Sequence, residues 1–129
     1  VFTRDTHFEN YADTQEGKKL PIPHCITGTN GWQINSKLKN LIKPETKIFD
    51  KITFGSTELT EYLNNNKELE KVTLAGLCTD ICIISNALLI KANLPEVEIE
   101  VLENCCAGVT PESHINALNA MKMCQISVK

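Results

Sequence analysis

Residues 72–93 constrain the fold more than any other stretch of this 129-residue chain. Val72 to Ala75 is a short apolar run that stops at Gly76, as a buried strand does. From Asp80 to Asn93 the chain is apolar almost all round, which predicts a helix buried on most of its sides. A buried strand, a short turn and a buried helix make the building unit of a parallel sheet.

The flanking sequence repeats that alternation. Val1-Phe2-Thr3 reads as the end of a strand and Lys47-Ile48-Phe49 as a short one. Ser56 to Asn66 predicts an amphipathic helix with Ser56 as N-cap and Leu59, Tyr62 and Leu63 on one face. Val97 to Leu102 alternates as a strand does. Thr110-Pro111-Glu112 supplies an N-cap, a proline at the first helical position and an acid in the first turn. That helix runs through Ile115, Leu118 and Met121, and Gln125 to Val128 is a final strand. Residues 36–42 predict a short helix and Gly28 to Gly31 a turn. Arg4 to Pro23 has no sustained period and reads as a long loop of the kind that carries function. The expected fold is one α/β domain over residues 1–129, three layers (αβα) built on a mainly parallel sheet.

Composition narrows the partners. Thirteen basic and sixteen acidic residues give a net charge of −3, which offers no footprint for a nucleic-acid backbone or an anionic membrane. No apolar run reaches the roughly 18–20 residues that span a bilayer. Val1 to Asp5 does not read as a signal peptide. Six cysteines in a chain with a sizeable core read as thiols in a reducing cytosol, not as a disulfide framework. The expected setting is cytoplasmic.

The chemistry concentrates where the buried strand gives way to the buried helix, at Gly76-Leu77-Cys78-Thr79-Asp80-Ile81-Cys82-Ile83. A cysteine in the first turn of a helix feels unpaired backbone N–H groups and the positive end of the helix dipole. Both favour the thiolate, which is the reactive form. The same N–H groups suit the oxyanion that forms when a carbonyl is attacked. The competing reading of Cys82 is a small buried hydrophobe.

This segment resembles the nucleophile segment of the isochorismatase-like cysteine hydrolases, which include the nicotinamidases and carry Gly-x-x-Thr-Asp-x-Cys-Val or a close variant. The resemblance implies that Cys82 is the nucleophile and that the backbone N–H groups of Cys78 and Cys82 form the oxyanion hole. It also implies a non-proline cis peptide between Leu77 and Cys78. Cys78 stands where the family more often has Ala or Thr, so its thiol receives no role. Lys51-Ile52-Thr53-Phe54-Gly55-Ser56, followed by Thr57, Leu59 and Leu63, is similar to the family's Lys-x-x-x-Ser-(Ala)-Phe…Thr-x-Leu stretch. On that match Lys51 is the catalytic lysine, whose ammonium favours the Cys82 thiolate. Taken alone it reads as a solvated surface lysine.

Two further segments extend the resemblance. Asp5-Thr6-His7 is similar to the Asp-x-His that opens the nicotinamidase metal site. Leu20-Pro21-Ile22-Pro23-His24-Cys25, continuing to Gly28-Thr29-Asn30-Gly31, is similar to the family's Pro-x-His-Cys-x-x-Gly-Thr-x-Gly. The implied ligands are Asp5, His7 and His24, with Glu16 where some nicotinamidases carry an extra carboxylate. Such a set suits Zn²⁺, with Mn²⁺ or Fe²⁺ as alternatives. Tyr11 occupies the position of the family's second His. Thr6 stands where many nicotinamidases have an aromatic residue that lines the pocket, and Trp32 replaces it only if its loop reaches there. Without a metal, Asp5 would cap a turn and the two histidines would be ordinary polar residues. His114 is expected on an exposed helix face, without a role.

The resemblance covers nearly the whole chain, from the second strand of the family fold to the last. The family's first strand, with its Asp-x-Gln motif and its general-base Asp, is absent from these residues. A sequence truncated at its N-terminus is the expectation, with a strand supplied by another chain as the alternative. The implied activity is hydrolysis of a small-molecule amide, nicotinamide foremost, through a thioester on Cys82. The alternatives are another amide, ureide or carbamoyl substrate, or an inactive metal-binding or interaction domain. Having Cys82 argues against the vinyl-ether-cleaving isochorismatases. A homo-oligomer is an open expectation from the family.

Overall fold

A computed structural model describes all of residues 1–129, which divide into two compact units, Val1–Thr53 and Phe54–Lys129.

In the first unit, β1 (Phe2–Asp5) and β2 (Ile48–Lys51) pair in parallel, with Asp5 opposite Lys51 at their C-terminal ends. Arg4 fixes the pair from the side. Its guanidinium forks onto the Asp50 carboxylate at 2.7 and 3.0 Å and lies 3.5 Å from the ring centre of Trp32. The expected long loop is more ordered than its sequence suggests. It contains a 3₁₀ turn, Tyr11–Asp13, and a short helix, α1 (Gln15–Lys19). Thr14 caps α1 by accepting from the Gly17 N–H at 3.0 Å. Gly17 is buried, and a Cβ there would stand 2.0 Å from the Tyr11 carbonyl oxygen, so only glycine lets helix and turn meet. Residues 30–32 and 36–41 are 3₁₀ turns. His7 bridges Ile26 as a parallel partner, which brings the Pro23-His24-Cys25 loop to the end of β1.

The second unit is a run of parallel strand–helix repeats: α2 (Thr57–Asn64), β3 (Lys71–Leu77), α3 (Ile84–Asn93), β4 (Glu98–Ala107), α4 (Pro111–Met123) and β5 (Ser127–Val128). The strands lie in the order β3-β4-β5. The α/β class with parallel pairing is therefore as expected. The core includes Ile99 and Val101 of β4, Ile83, Ala87, Ile90, Ala117, Leu118 and Met121 from the helical segments, Leu59 and Leu63 of α2, and Ile126, all buried. Alternate residues carry a polar ladder: Lys71 pairs with Glu98 and Glu100 at 3.6 and 2.6 Å, and Thr73 donates to Glu100 at 2.9 Å.

Three local expectations shift. β4 continues five residues past Leu102, because its register slips against β3: Leu74 faces Val101, but Gly76 faces Cys106. In α2 the buried residues are Leu59, Thr60 and Leu63, while Tyr62 is exposed. In α4 the inward stripe runs through Ala117, Leu118 and Met121, and Ile115 faces outward. No helix is long and apolar enough to cross a membrane.

Ile90 is fully buried and Leu88 is 38% exposed on the same helix. Ile90→Ala should cost about 2–5 kcal/mol in urea denaturation and Leu88→Ala less than about 1 kcal/mol. Equal losses would show that α3 is oriented differently.

Candidate active site

Each unit collects reactive side chains at the C-terminal ends of its own parallel strands, where open α/β sheets bind ligands.

In the first unit β1 ends in Asp5, whose two carboxylate oxygens point at different groups. Oδ1 accepts from the Lys51 ammonium at 3.1 Å, and Oδ2 lies 3.3 Å from His7 Nε2 and 3.6 Å from His24 Nε2. Glu16, carried on α1, places Oε1 at 3.6 and 3.7 Å from the same two imidazole nitrogens. Asp5, His7 and His24 form a potential ligand group, with donor atoms within 4.8 Å of one another. Lys51 is buried, not the solvated lysine that its sequence alone suggests.

These residues fit a divalent metal. Donors at about 2.0–2.1 Å around a tetrahedral ion stand about 3.4 Å apart, close to the four separations found here. His7 Nε2 is buried and makes no hydrogen bond, an arrangement that a metal would satisfy. His24 Nδ1 lies 2.8 Å from the Ile22 carbonyl oxygen, which can only accept. Nδ1 therefore donates to that carbonyl, which leaves Nε2 as the nitrogen that faces the cluster. Tyr11 does not act as a ligand. Its hydroxyl donates to the Leu20 carbonyl at 2.9 Å, and its ring packs on His7 and His24 at 4.7 and 5.2 Å. Burial, then the charges of Glu16 and Asp5, raise its pKa above the ordinary phenol value.

Trp32 reaches the buried Thr6, between Asp5 and His7. Its indole N–H donates to Thr6 Oγ1 at 2.9 Å. An aromatic ring thus stands beside Thr6, although Thr6 itself has none.

In the second unit, β3 ends in Gly76 at φ 134°, a conformation that only glycine adopts readily, and the Leu77–Cys78 peptide is cis, as the resemblance implies. The helix then opens as a wide π turn, Thr79–Ile83, where a regular α-helix was expected. The Cys78 carbonyl accepts from both Ile81 and Ile83, at 3.2 and 3.0 Å. Such turns are frequent at functional sites. Cys82 is partly exposed within it, not sealed in the core, and all six cysteines are thiols.

Two residues without a role in the sequence reading hold this turn. The buried Asn86 donates from Nδ2 to the Cys82 carbonyl at 2.8 Å and to the Phe54 carbonyl at 3.3 Å, and its Oδ1 accepts from the Ser56 N–H at 2.9 Å. A lone amide four residues after Cys82 in an apolar helix is the signal that could have found it. His114, expected on an exposed face, is half-buried, with Nδ1 hydrogen-bonded to Thr79 Oγ1 at 2.8 Å. It lies four and seven residues before Leu118 and Met121, on the inward stripe.

A model of the isochorismatase domain matches residues 1–128. The chain belongs to the isochorismatase family. It is 30% identical over 127 residues to the isochorismatase family protein PncA of Bacillus subtilis, covering 92% of this chain and 67% of that one. It is also 30% identical to isochorismatase family protein 2A of Dictyostelium discoideum, over 68% of this chain and 42% of that one. The crystal structure of the B. subtilis nicotinamidase/pyrazinamidase PncA superposes with a TM-score of 0.84 at 28% identity, over 99% of this chain and 73% of that one. The pyrazinamidase of Pyrococcus horikoshii, solved with zinc, gives 0.76 at 25% identity, over 98% and 72%. Membership of the isochorismatase family makes this chain a hydrolase by kinship, and the family match spans both units.

Burial pushes the Asp80 carboxyl up. Hydrogen bonds from Ser113 and from the Val109 and Asp80 backbone, with His114 nearby, outweigh it and hold the pKa below the ordinary value. Ionised Asp80 therefore stabilises the fold near neutral pH, and that contribution disappears as pH falls through the lowered pKa. Asp80→Asn should lower the urea midpoint at pH 7, with the deficit closing as the pH falls into the acid range. A deficit that does not change with pH would contradict the assignment.

Proposed function

We propose that this isochorismatase-family chain is a cysteine-dependent amidohydrolase acting on nicotinamide. The observation that carries the reading is the thiol of Cys82, partly exposed in a wide turn at the end of a parallel strand.

The Cys82 thiolate attacks the amide carbon, and the carbonyl π electrons move to oxygen. The backbone N–H groups of Cys78 and Cys82 hold that oxyanion. The C–N bond breaks as the electrons return, nitrogen takes the proton that the thiol gave up on ionising, and ammonia leaves a thioester. Water adds to the thioester carbon and its two protons pass to solvent; the C–S bond breaks, and nicotinate departs with the thiolate restored. The family resemblance gives Lys51 the role of the positive charge that favours the thiolate and the developing oxyanion. Its pairing with Asp5 keeps the ammonium oriented.

Asp5, His7, His24 and Glu16 would hold the divalent ion, zinc by preference, with manganese or iron as alternatives. When bound, such an ion supplies a Lewis-acidic contact for the pyridine nitrogen of nicotinamide. Trp32 beside Thr6 offers a flat apolar surface to a ring. Another small amide, ureide or carbamoyl compound is the substrate if no ion binds. The six thiols suit a reducing cytosol.

Cys82→Ala in the full-length protein should abolish ammonia release from nicotinamide while leaving zinc content near one ion per chain. Turnover unchanged by this substitution would dispose of the cysteine mechanism. Glu16→Ala should weaken zinc binding by at least about tenfold in a competition titration with a chromogenic chelator. Unaltered affinity would remove Glu16 from the ligand set.

A further inference from the structure

The π turn that carries Cys82 is tied to the start of α4 at two consecutive residues. Thr79 has no solvent exposure, and its hydroxyl is hydrogen-bonded to His114 Nδ1 at 2.8 Å. Asp80 accepts the Val109 backbone N–H on both carboxylate oxygens, at 3.1 and 3.2 Å. Val109 precedes the α4 cap, where Thr110 and Ser113 close a reciprocal capping box that fixes the helix start.

The close approach of α4 is built in. A Cβ on Gly108 would stand 2.8–2.9 Å from the Cβ, Cα and N atoms of His114. Only glycine lets the chain pass there, and the passage is what seats the imidazole against Thr79. Thr79 in turn separates Cys78, whose N–H faces the reacting oxygen in the proposed mechanism, from the rest of the nucleophile turn. A π turn lacks the regular i→i−4 ladder that makes an α-helix hold its own shape. Its geometry has to be set by outside ties, and a shift of about 1 Å at a nucleophile is worth about a hundredfold in rate.

We propose that His114 is a positioning residue. Through Thr79 it fixes the turn that aims the Cys82 thiol and the Cys78 N–H at one carbonyl. The proposal rests on Cys82 being the nucleophile. It takes no proton and touches no substrate.

The test uses the full-length protein with two readouts: kcat and KM for nicotinamide, and the rate of Cys82 alkylation by iodoacetamide followed by mass spectrometry. His114→Gln and His114→Ala should lower kcat about ten- to hundredfold, with KM within about threefold and slower Cys82 alkylation. His114→Asn places an amide where Nδ1 was and should recover most of both. Thr79→Val should match His114→Ala, and the double variant should be no worse than either. Thr79→Ser keeps the hydroxyl and should behave as wild type. If His114→Ala melts early, the Asn and Gln variants and the Thr79 pair still decide. A folded His114→Gln or Thr79→Val with wild-type kcat and alkylation overturns the proposal. If wild type and Cys82→Ala turn over alike, the nucleophile reading fails instead. Cys82 alkylation unaffected by His114 and Thr79 would then reject the positioning role separately.

Discussion

Burying the ammonium of Lys51 is the demand around which the first unit is arranged. A charge with a side chain only 3% exposed costs several kcal/mol unless it is met by opposite charge and hydrogen bonds. Asp5 meets it with one oxygen, at 3.1 Å, and turns the other to two imidazoles. Strand pairing enforces the meeting, because Asp5 and Lys51 are register partners in β1 and β2. A slip of one residue would send the two side chains to opposite faces and leave the ammonium without this carboxylate. The Arg4–Asp50 fork one residue earlier holds that register from the outer side. The strand pair and the cluster are thus one structure, not a scaffold with a site placed on it.

The second unit faces a different demand, which is to hold the shape of a turn whose own backbone bonding is irregular and which leaves Cys82 partly exposed. Three backbone features begin the turn: the left-handed Gly76, the cis peptide after Leu77, and the Cys78 carbonyl that accepts two N–H groups. Side chains complete it from either end. Asn86 ties the Cys82 carbonyl to the Phe54–Ser56 stretch, while His114 ties its beginning to the first turn of α4 and Asp80 ties it to Val109 in the loop before that helix. Each is an amide, imidazole or carboxylate with a polar partner within 3.3 Å, so no large polar group in the turn is buried at a loss.

What could be read in advance follows from this division. The alternation of strands and helices was legible, because buried parallel strands and amphipathic helices leave periodic apolar traces in sequence. The Thr79-Asp80-Ile81-Cys82 and Asp5-Thr6-His7 segments were legible through resemblance. The residues that shape the site were not. Asn86 and His114 act through hydrogen bonds to partners 30–35 residues away, and periodicity says nothing about such pairs. A stripe that begins at Ile115 turns His114 outward. The inward stripe begins one position earlier, and a half-buried imidazole stands there in place of an apolar residue. The extra length of β4 was hidden too, since a register slip is a property of two strands and not of one.

Tyr11 shows how one changed residue can be absorbed by the rest of a cluster. An imidazole at its position would add a neutral nitrogen donor. The phenol adds none, since its hydroxyl is spent on the Leu20 carbonyl, and burial beside Glu16 and Asp5 keeps it protonated. Glu16 brings a carboxylate to the two imidazoles instead, at 3.6 and 3.7 Å. The group then brings together two carboxylates, one of them shared with the Lys51 ammonium, and two imidazole nitrogens. Replacing nitrogen with carboxylate oxygen also hardens the set and moves it toward manganese and iron relative to a three-histidine site. The aromatic ring is not wasted in this arrangement: packed on both imidazoles, it holds them in place and keeps water from one side of the donors. A buried tyrosine with no ligand atom to offer thereby sets the geometry, while a carboxylate from α1 sets the charge.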